Sequence, residues 1–187
     1  MRRIRSALVV LFLCTGAVLA GSPAGASAGG SEVTALRAAQ VAAGPYFLQF
    51  NHSGRCLDNP GPTTANVQLD QWNCLAQTNE YWYLDYVFTD AGGFDFFRVR
   101  NAYSGKCVNV AGGSSANSAA IIQYPCGSYN NEYFVFWSDG SVPSGYFWVQ
   151  AYHSGKVLNI QGGSTANGAK AIQYTRCYCA NEYVALT

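Results

Sequence analysis

From Pro45 onward, short alternations of apolar and polar positions, such as Phe97-Arg98-Val99 and Phe147-Trp148-Val149, are separated by turn clusters. Among these are Gly112-Gly113-Ser114-Ser115, Asp139-Gly140 and Gly162-Gly163-Ser164-Thr165. A period of two bounded by glycine and serine predicts short strands and hairpins. Nothing after Gly44 sustains a helical period, so the predicted globular part is all-β.

The pattern also repeats. Ser104-Gly105-Lys106-Cys107-Val108-Asn109-Val110, Gly112-Gly113-Ser114-Ser115-Ala116-Asn117, Ile122-Gln123-Tyr124 and Asn131-Glu132-Tyr133 come back as Ser154-Gly155-Lys156-Val157-Leu158-Asn159-Ile160, Gly162-Gly163-Ser164-Thr165-Ala166-Asn167, Ile172-Gln173-Tyr174 and Asn181-Glu182-Tyr183. A more divergent copy lies upstream, with Ser53-Gly54-Arg55-Cys56-Leu57-Asp58, Ala65-Asn66, Gln71-Trp72-Asn73-Cys74 and Asn79-Glu80-Tyr81. Gly54, Gly105 and Gly155 mark a spacing of 51 and then 50 residues. Three copies of such a unit must bury their apolar positions against one another, and a propeller with blades of this size needs more copies.

Upstream of the repeats the grammar changes. Arg2, Arg3 and Arg5 precede an apolar run from Ala7 to Ala20 and small residues around Ala24–Ala28, which predicts a secretory signal peptide over 1–28. The run is too short to span a bilayer comfortably. Residues 29–44 are rich in alanine and glycine, and a mobile N-terminal tail is expected there. The processed chain of about 160 residues suits one domain, here 45–187, and an extracellular location.

Charge narrows the partners. Of 11 basic residues three leave with the signal, and the remaining eight face ten acidic ones, a formal charge of −2. That balance argues against nucleic acid and anionic membrane. Charged residues make up 11% of the chain and aromatics 14%, so hydroxyl, amide and aromatic groups are left to do the surface chemistry. No phosphate loop, complete metal motif or Ser-His-Asp arrangement stands out, and no cofactor is implied.

The ordered Ser-Gly-Lys-Cys-Val-Asn, Ala-Asn, Gln-Tyr-x-Cys and Asn-Glu-Tyr elements resemble the ricin-type β-trefoil lectin family, also called carbohydrate-binding module family 13. The resemblance covers about residues 45 to 187. It implies a β-trefoil in which each repeat adds four short strands to a threefold barrel and cap. The family signature Gln-x-Trp departs here to Glu80-Tyr81-Trp82, Glu132-Tyr133-Phe134 and Glu182-Tyr183-Val184. Its last residue is normally core, so Trp82, Phe134 and Val184 are expected to be packing variants. The glutamates need hydrogen-bond donors that the sequence does not name.

Six cysteines remain in an oxidising compartment. The resemblance implies bridges Cys56–Cys74 and Cys107–Cys126, each within a repeat. Repeat 3 has Val157 at the first position and offers Cys177 and Cys179 instead, either bridged to each other or free.

For function, the resemblance implies sugar binding, with a carboxylate or amide, an aromatic ring and a second amide from each repeat. By position these are Asp58, Trp72 and Asn79; Asn109, Tyr124 and Asn131; and Asn159, Tyr174 and Asn181. An ionised Asp accepts through two oxygens where Asn has one, which favours repeat 1. Asn66, Asn117 and Asn167 are expected to be turn residues tolerant of left-handed backbone, and His52 and His153 to be loop structure. The resulting expectation is a secreted, monomeric lectin for galactose- or xylose-containing glycans. The alternative is a trefoil that acts by protein contact, as an inhibitor or toxin component. A glycoside hydrolase built on Asp58 and Glu80 is disfavoured, because Glu80 recurs as Glu132 and Glu182 and catalytic sets are seldom triplicated.

Overall fold

The computed structural model describes residues 33–37, 44–64 and 66–187. The expected signal peptide lies outside the described residues. Within the stretch expected to be a mobile tail, Thr34–Ala35 (β1) instead pairs antiparallel with Phe134–Ser138 (β9), and Leu36 N–H donates to Phe136 O at 2.8 Å. Leu36 packs against the main core, and that burial offsets the entropy of ordering this short segment.

The remaining strands fall into three sets of four. Repeat 1 supplies β2 (Leu48–Phe50), β3 (Cys56–Asp58), β4 (Asp70–Trp72) and β5 (Trp82–Thr89). Repeat 2 supplies β6 (Asp95–Asn101), β7 (Cys107–Val110), β8 (Ile121–Tyr124) and β9. Repeat 3 supplies β10 (Trp148–Ala151), β11 (Val157–Ile160), β12 (Ala169–Tyr174) and β13 (Val184–Leu186). The last strand of each repeat pairs with the first of the next, and β13 closes on β2, so the barrel has no free seam.

Threefold register is visible residue by residue. Trp82 faces Asn101, Phe134 faces Ala151 and Val184 faces Phe50 across the three seams. Each member of the Trp82, Phe134 and Val184 set is buried, as expected of core variants. The smallest of the three, Val184, faces the largest partner, Phe50, so volume is roughly conserved at equivalent seams where a close-packed core requires it.

The repeats are joined by buried glutamines. Gln71 Nε2 donates to Ser164 O (2.8 Å) and Ala166 O (3.0 Å) of repeat 3, and its Oε1 accepts from Ser53 Oγ (2.8 Å). Gln173 makes the same three bonds to Ser114 O, Ala116 O and Ser154 Oγ, and Gln123 Nε2 reaches Pro62 O. All three glutamines are fully buried, and each ties the loop of one repeat to the strand of another.

The Ala-Asn pairs correct a sequence expectation. Left-handed backbone falls on the next residue, Ser118 (φ 66°) or Gly168 (φ 77°), not on Asn117 or Asn167. Asn117 Oδ1 instead accepts from Thr175 N–H and Oγ1, both at 3.0 Å, and Asn167 Oδ1 from Asn73 N–H at 3.0 Å and from Arg55 Nε. Asn66 Oδ1 accepts from Lys106 Nζ at 3.2 Å. Each asparagine therefore pins its own repeat to the next, a contact invisible in local turn grammar. His52 Nε2 lies 2.9 Å from Ser164 O and His153 Nε2 lies 3.0 Å from Ser114 O, in keeping with their reading as loop structure.

Candidate functional site

In each repeat the hairpin, the ring and the amide converge. Asp58, Asn109 and Asn159 lie near the ends of β3, β7 and β11 with their side chains at the bottom of a depression, 6%, 3% and 4% exposed. Trp72, Tyr124 and Tyr174 end the paired strands and stand 41%, 37% and 39% exposed, as a wall for a ligand must. Asn79, Asn131 and Asn181 come from single 3-10 turns at Thr78–Glu80, Asn130–Glu132 and Ala180–Glu182.

The glutamates hold those turns. Glu80 Oε2 accepts the N–H groups of Leu75 (2.8 Å) and Gln77 (3.2 Å), and Glu132 accepts Gly127 N–H (2.9 Å to Oε1). Glu182 is the most heavily engaged: Oε1 accepts from Cys177, Tyr178 and Cys179 N–H and from Trp148 Nε1 at 3.0 Å. The missing donors are thus backbone N–H groups of the loop between ring and amide. A buried carboxylate gathers several of them at once and fixes the preceding asparagine.

Each asparagine in turn fixes the polar floor. Asn131 Nδ2 donates to Asn109 Oδ1 (2.8 Å) and Val110 O (2.8 Å); Asn181 Nδ2 donates to Asn159 Oδ1 (2.9 Å) and Ile160 O (2.8 Å). A carbonyl only accepts, so the atom facing it is the amide nitrogen, and the floor asparagine must present its oxygen. That leaves the Asn109 and Asn159 amide nitrogens as donors for a ligand. In repeat 1, Asn79 Nδ2 bonds Asp58 Oδ1 at 2.6 Å and Asn59 O at 3.3 Å, which leaves Asp58 Oδ2 as an acceptor. The repeat 1 floor accepts, whereas the other two donate.

Electrostatics separate repeat 1 further. The Asp58 carboxyl is pushed up to about 7 by burial, with the charges of Asp70 and Glu80 adding to the effect and Lys170 opposing it. Asp70 sits directly across the hairpin from Asp58, whereas Ile122 and Ile172 occupy the equivalent places. Burial raises the Asp70 carboxyl too, against the pull of Lys170 Nζ at 3.0 Å.

Shape differs as well. The repeat 1 depression measures about 230 Å³ and includes Pro60, while those of repeats 2 and 3 measure about 400 and 420 Å³ and are lined by Gly112–Gly113 and Gly162–Gly163. Gly112 and Gly113 both adopt left-handed backbone, φ 62° and 61°, which the Asn59-Pro60-Gly61-Pro62 loop does not repeat. Tyr129, 54% exposed and edge-on to Tyr124 at 6.4 Å, adds a second ring to repeat 2 that the sequence reading missed. Its only sequence signal is its place two residues before Asn131, where repeats 1 and 3 have Gln77 and Cys179.

The bridges Cys56–Cys74, Cys107–Cys126 and Cys177–Cys179 are all formed, and the last lies on the wall of the repeat 3 depression. Glu80 is 2% exposed with its carboxylate engaged by backbone, so it plays the same structural part as Glu132 and Glu182. No group of three or more His, Cys, Asp or Glu side chains able to hold a metal ion occurs among the described residues.

Comparison with known proteins agrees with this architecture. A family model described as ricin-type beta-trefoil lectin domain-like matches residues 33–124. The designed threefold-symmetric protein ThreeFoil is 29% identical with a TM-score of 0.67, over 76% of this chain and 96% of that one. An exo-β-1,3-galactanase from Clostridium thermocellum is 26% identical with a TM-score of 0.67, over 76% of this chain but only 30% of that one. The Rhizoctonia solani agglutinin shares the fold at 20% identity and a TM-score of 0.64, over 78% and 95% of the two chains. The three-repeat barrel, its register and these matches together make this chain a β-trefoil that is similar to ricin-type lectin-like domains.

Proposed function

We propose that the protein is a secreted, non-enzymatic lectin that binds galactose- or xylose-containing glycans through up to three sites, acting as a monomer. One observation carries the reading: in all three repeats a half-exposed ring stands over a buried polar floor whose bond to the 3-10 turn asparagine leaves one polar atom unspent. A pyranose has an apolar C–H face and a hydroxyl edge, which such a wall and floor match. Similarity to part of an exo-β-1,3-galactanase supports a galactose-containing polymer. Shallow single sites of this kind bind in roughly the millimolar to micromolar range, and two or three on one polymer add avidity.

A glycan array followed by titration of Asp58→Ala, Trp72→Ala, Tyr124→Ala and Tyr174→Ala tests this. The lectin reading expects glycans to be retained by the wild type and lost stepwise as the rings are removed. Absence of any retained glycan, or unchanged binding in all four variants, favours the alternative of a trefoil that works by protein contact.

A further inference from the structure

A second kind of depression lies behind the repeat 3 site. In repeats 1 and 2 the residue two places after the site ring is Cys74 or Cys126, bridged to Cys56 or Cys107. Repeat 3 carries Arg176 and Val157 at those two places. Where a disulfide stands in the sister repeats, there is instead a polar depression of about 450 Å³.

Arg176 is held there by aromatic faces. Its guanidinium lies 4.7 Å from the ring centre of Trp148 and 4.9 Å from those of Trp137 and Tyr178, and it donates to Tyr178 OH at 2.9 Å. Stacking engages the faces of a guanidinium and leaves its edge free. Of five N–H groups only one meets a protein acceptor among the described residues. Lys156 also lines the depression, with Nζ donating to Thr175 Oγ1 at 3.1 Å.

The lining holds two cations and no acid. Two carboxylates lie close by and neither fills the role of counter-ion. Asp139 feels the charge of Arg176 but accepts from Ser141 N–H and Oγ, and it forms no ion pair with Arg176 among the described residues. Glu182 is buried and occupied by Trp148 Nε1 and loop N–H groups.

We propose that this depression is a separate binding site for an anionic sugar unit, a uronate whose carboxylate pairs with Arg176 and Lys156 while Tyr178 receives its C–H face. Tyr178 is 53% exposed, which suits that role. A planar guanidinium edge matches a carboxylate bidentately, and a fixed ring wall distinguishes a sugar acid from a free anion. The segment 174–179 serves both faces: Tyr174, Cys177 and Cys179 line the neutral-sugar site, and Thr175, Arg176 and Tyr178 line this one. An acidic polysaccharide passing over that segment would engage both.

The test is titration of trigalacturonate, neutral galactotriose and inorganic phosphate, followed by NMR at the Arg176 Nε signal. Trigalacturonate is expected to shift that signal saturably, with affinity falling at about 0.5 M NaCl because ionic contacts are screened. Arg176→Gln should weaken it about tenfold or more and Lys156→Gln by a smaller factor. Lys156→Gln leaves the aromatic cage around Arg176 intact, so it decides the question if Arg176→Gln proves unstable. An Arg176 signal that moves equally with galactotriose, or trigalacturonate binding unchanged in Lys156→Gln, overturns the proposal. Phosphate competing as strongly as the uronate refutes a sugar-specific site. Trp72 fluorescence with galactotriose reports the repeat 1 neutral site independently.

Discussion

Asn79 Nδ2 lies 2.6 Å from Asp58 Oδ1, the same pairing by which Asn131 holds Asn109 and Asn181 holds Asn159. Identical geometry thus orients three floors of unequal chemistry, one acidic and two amide. The consequence is a difference in pH response between sites that share a backbone.

Repeat 1 should bind neutral sugar less well as pH falls. Its acceptor is the ionised Asp58, whose carboxyl titrates at about 7. Between pH 8 and pH 6 the ionised fraction drops roughly tenfold, and with it the affinity of a site that recognises hydroxyl donors. Sugar titration followed by Trp72 fluorescence reads this, and Asp58→Asn should flatten the profile. Stability runs the other way. A pKa raised from 3.8 means that the folded chain holds the proton more tightly, so this group favours folding at low pH and that contribution is lost as pH rises towards about 7.

The three rings should act on binding and not on folding. Trp72, Tyr124 and Tyr174 are all more than a third exposed, so their removal forms no closed cavity. Each alanine variant is expected to weaken its own site by about 1–1.5 kcal/mol, roughly tenfold, with melting temperature nearly unchanged. Calorimetric titration alongside thermal denaturation checks both halves.

Glu182→Gln should destabilise the fold even though the family carries glutamine there. An amide can keep its one oxygen on the Trp148, Cys177, Tyr178 and Cys179 donors that now share Oε1, but it loses the charge that strengthens those bonds and turns an N–H donor towards Cys177 N–H, which also faces Oε2 at 3.1 Å. The expected cost is about 2 kcal/mol, or roughly 5–8 °C in melting temperature. An unchanged melting temperature would mean that those N–H groups find water instead.

Gln173→Ala should be at least as costly, because the side chain is fully buried and its loss strands Ser114 O, Ala116 O and Ser154 Oγ at a repeat boundary. About 2–4 kcal/mol is expected, readable in chemical denaturation. Amide exchange should quicken first in the loop around Ser114, which the glutamine holds.

The cysteine bridges should differ in weight. Cys56–Cys74 and Cys107–Cys126 close loops across 18 and 19 residues, whereas Cys177–Cys179 spans a separation of 2. Loop-closure entropy grows with length, so either long bridge contributes about 3 kcal/mol and the short one much less. Paired Cys→Ser substitutions compared by melting temperature give the ranking.

The fold was legible because its evidence is local and periodic. Glycines about fifty residues apart, alternating strands, the paired cysteines of repeats 1 and 2 and the buried last residue of each signature all recur at matched places. The convergence of the nine candidate residues in three depressions was legible for the same reason, since each occupies an equivalent position in its repeat. Their inequality was only half legible. Asp58 against Asn109 is visible as a letter, but the carboxylate opposite it, Asp70, and the ammonium that offsets that charge, Lys170, lie on different repeats 100 residues apart.

By itself the sequence determined the three-repeat β architecture, the ring, floor and amide sets, and the cysteine pairing within repeats 1 and 2. Tertiary structure decided what contacts cross between repeats: the glutamine staples, the asparagine pins, β1 laid against β9, and the depression around Arg176. These contacts join groups distant in the chain, and their energy depends on burial and orientation. A polar side chain becomes a fixed donor or acceptor only when the backbone brings its partner within hydrogen-bonding distance and excludes water.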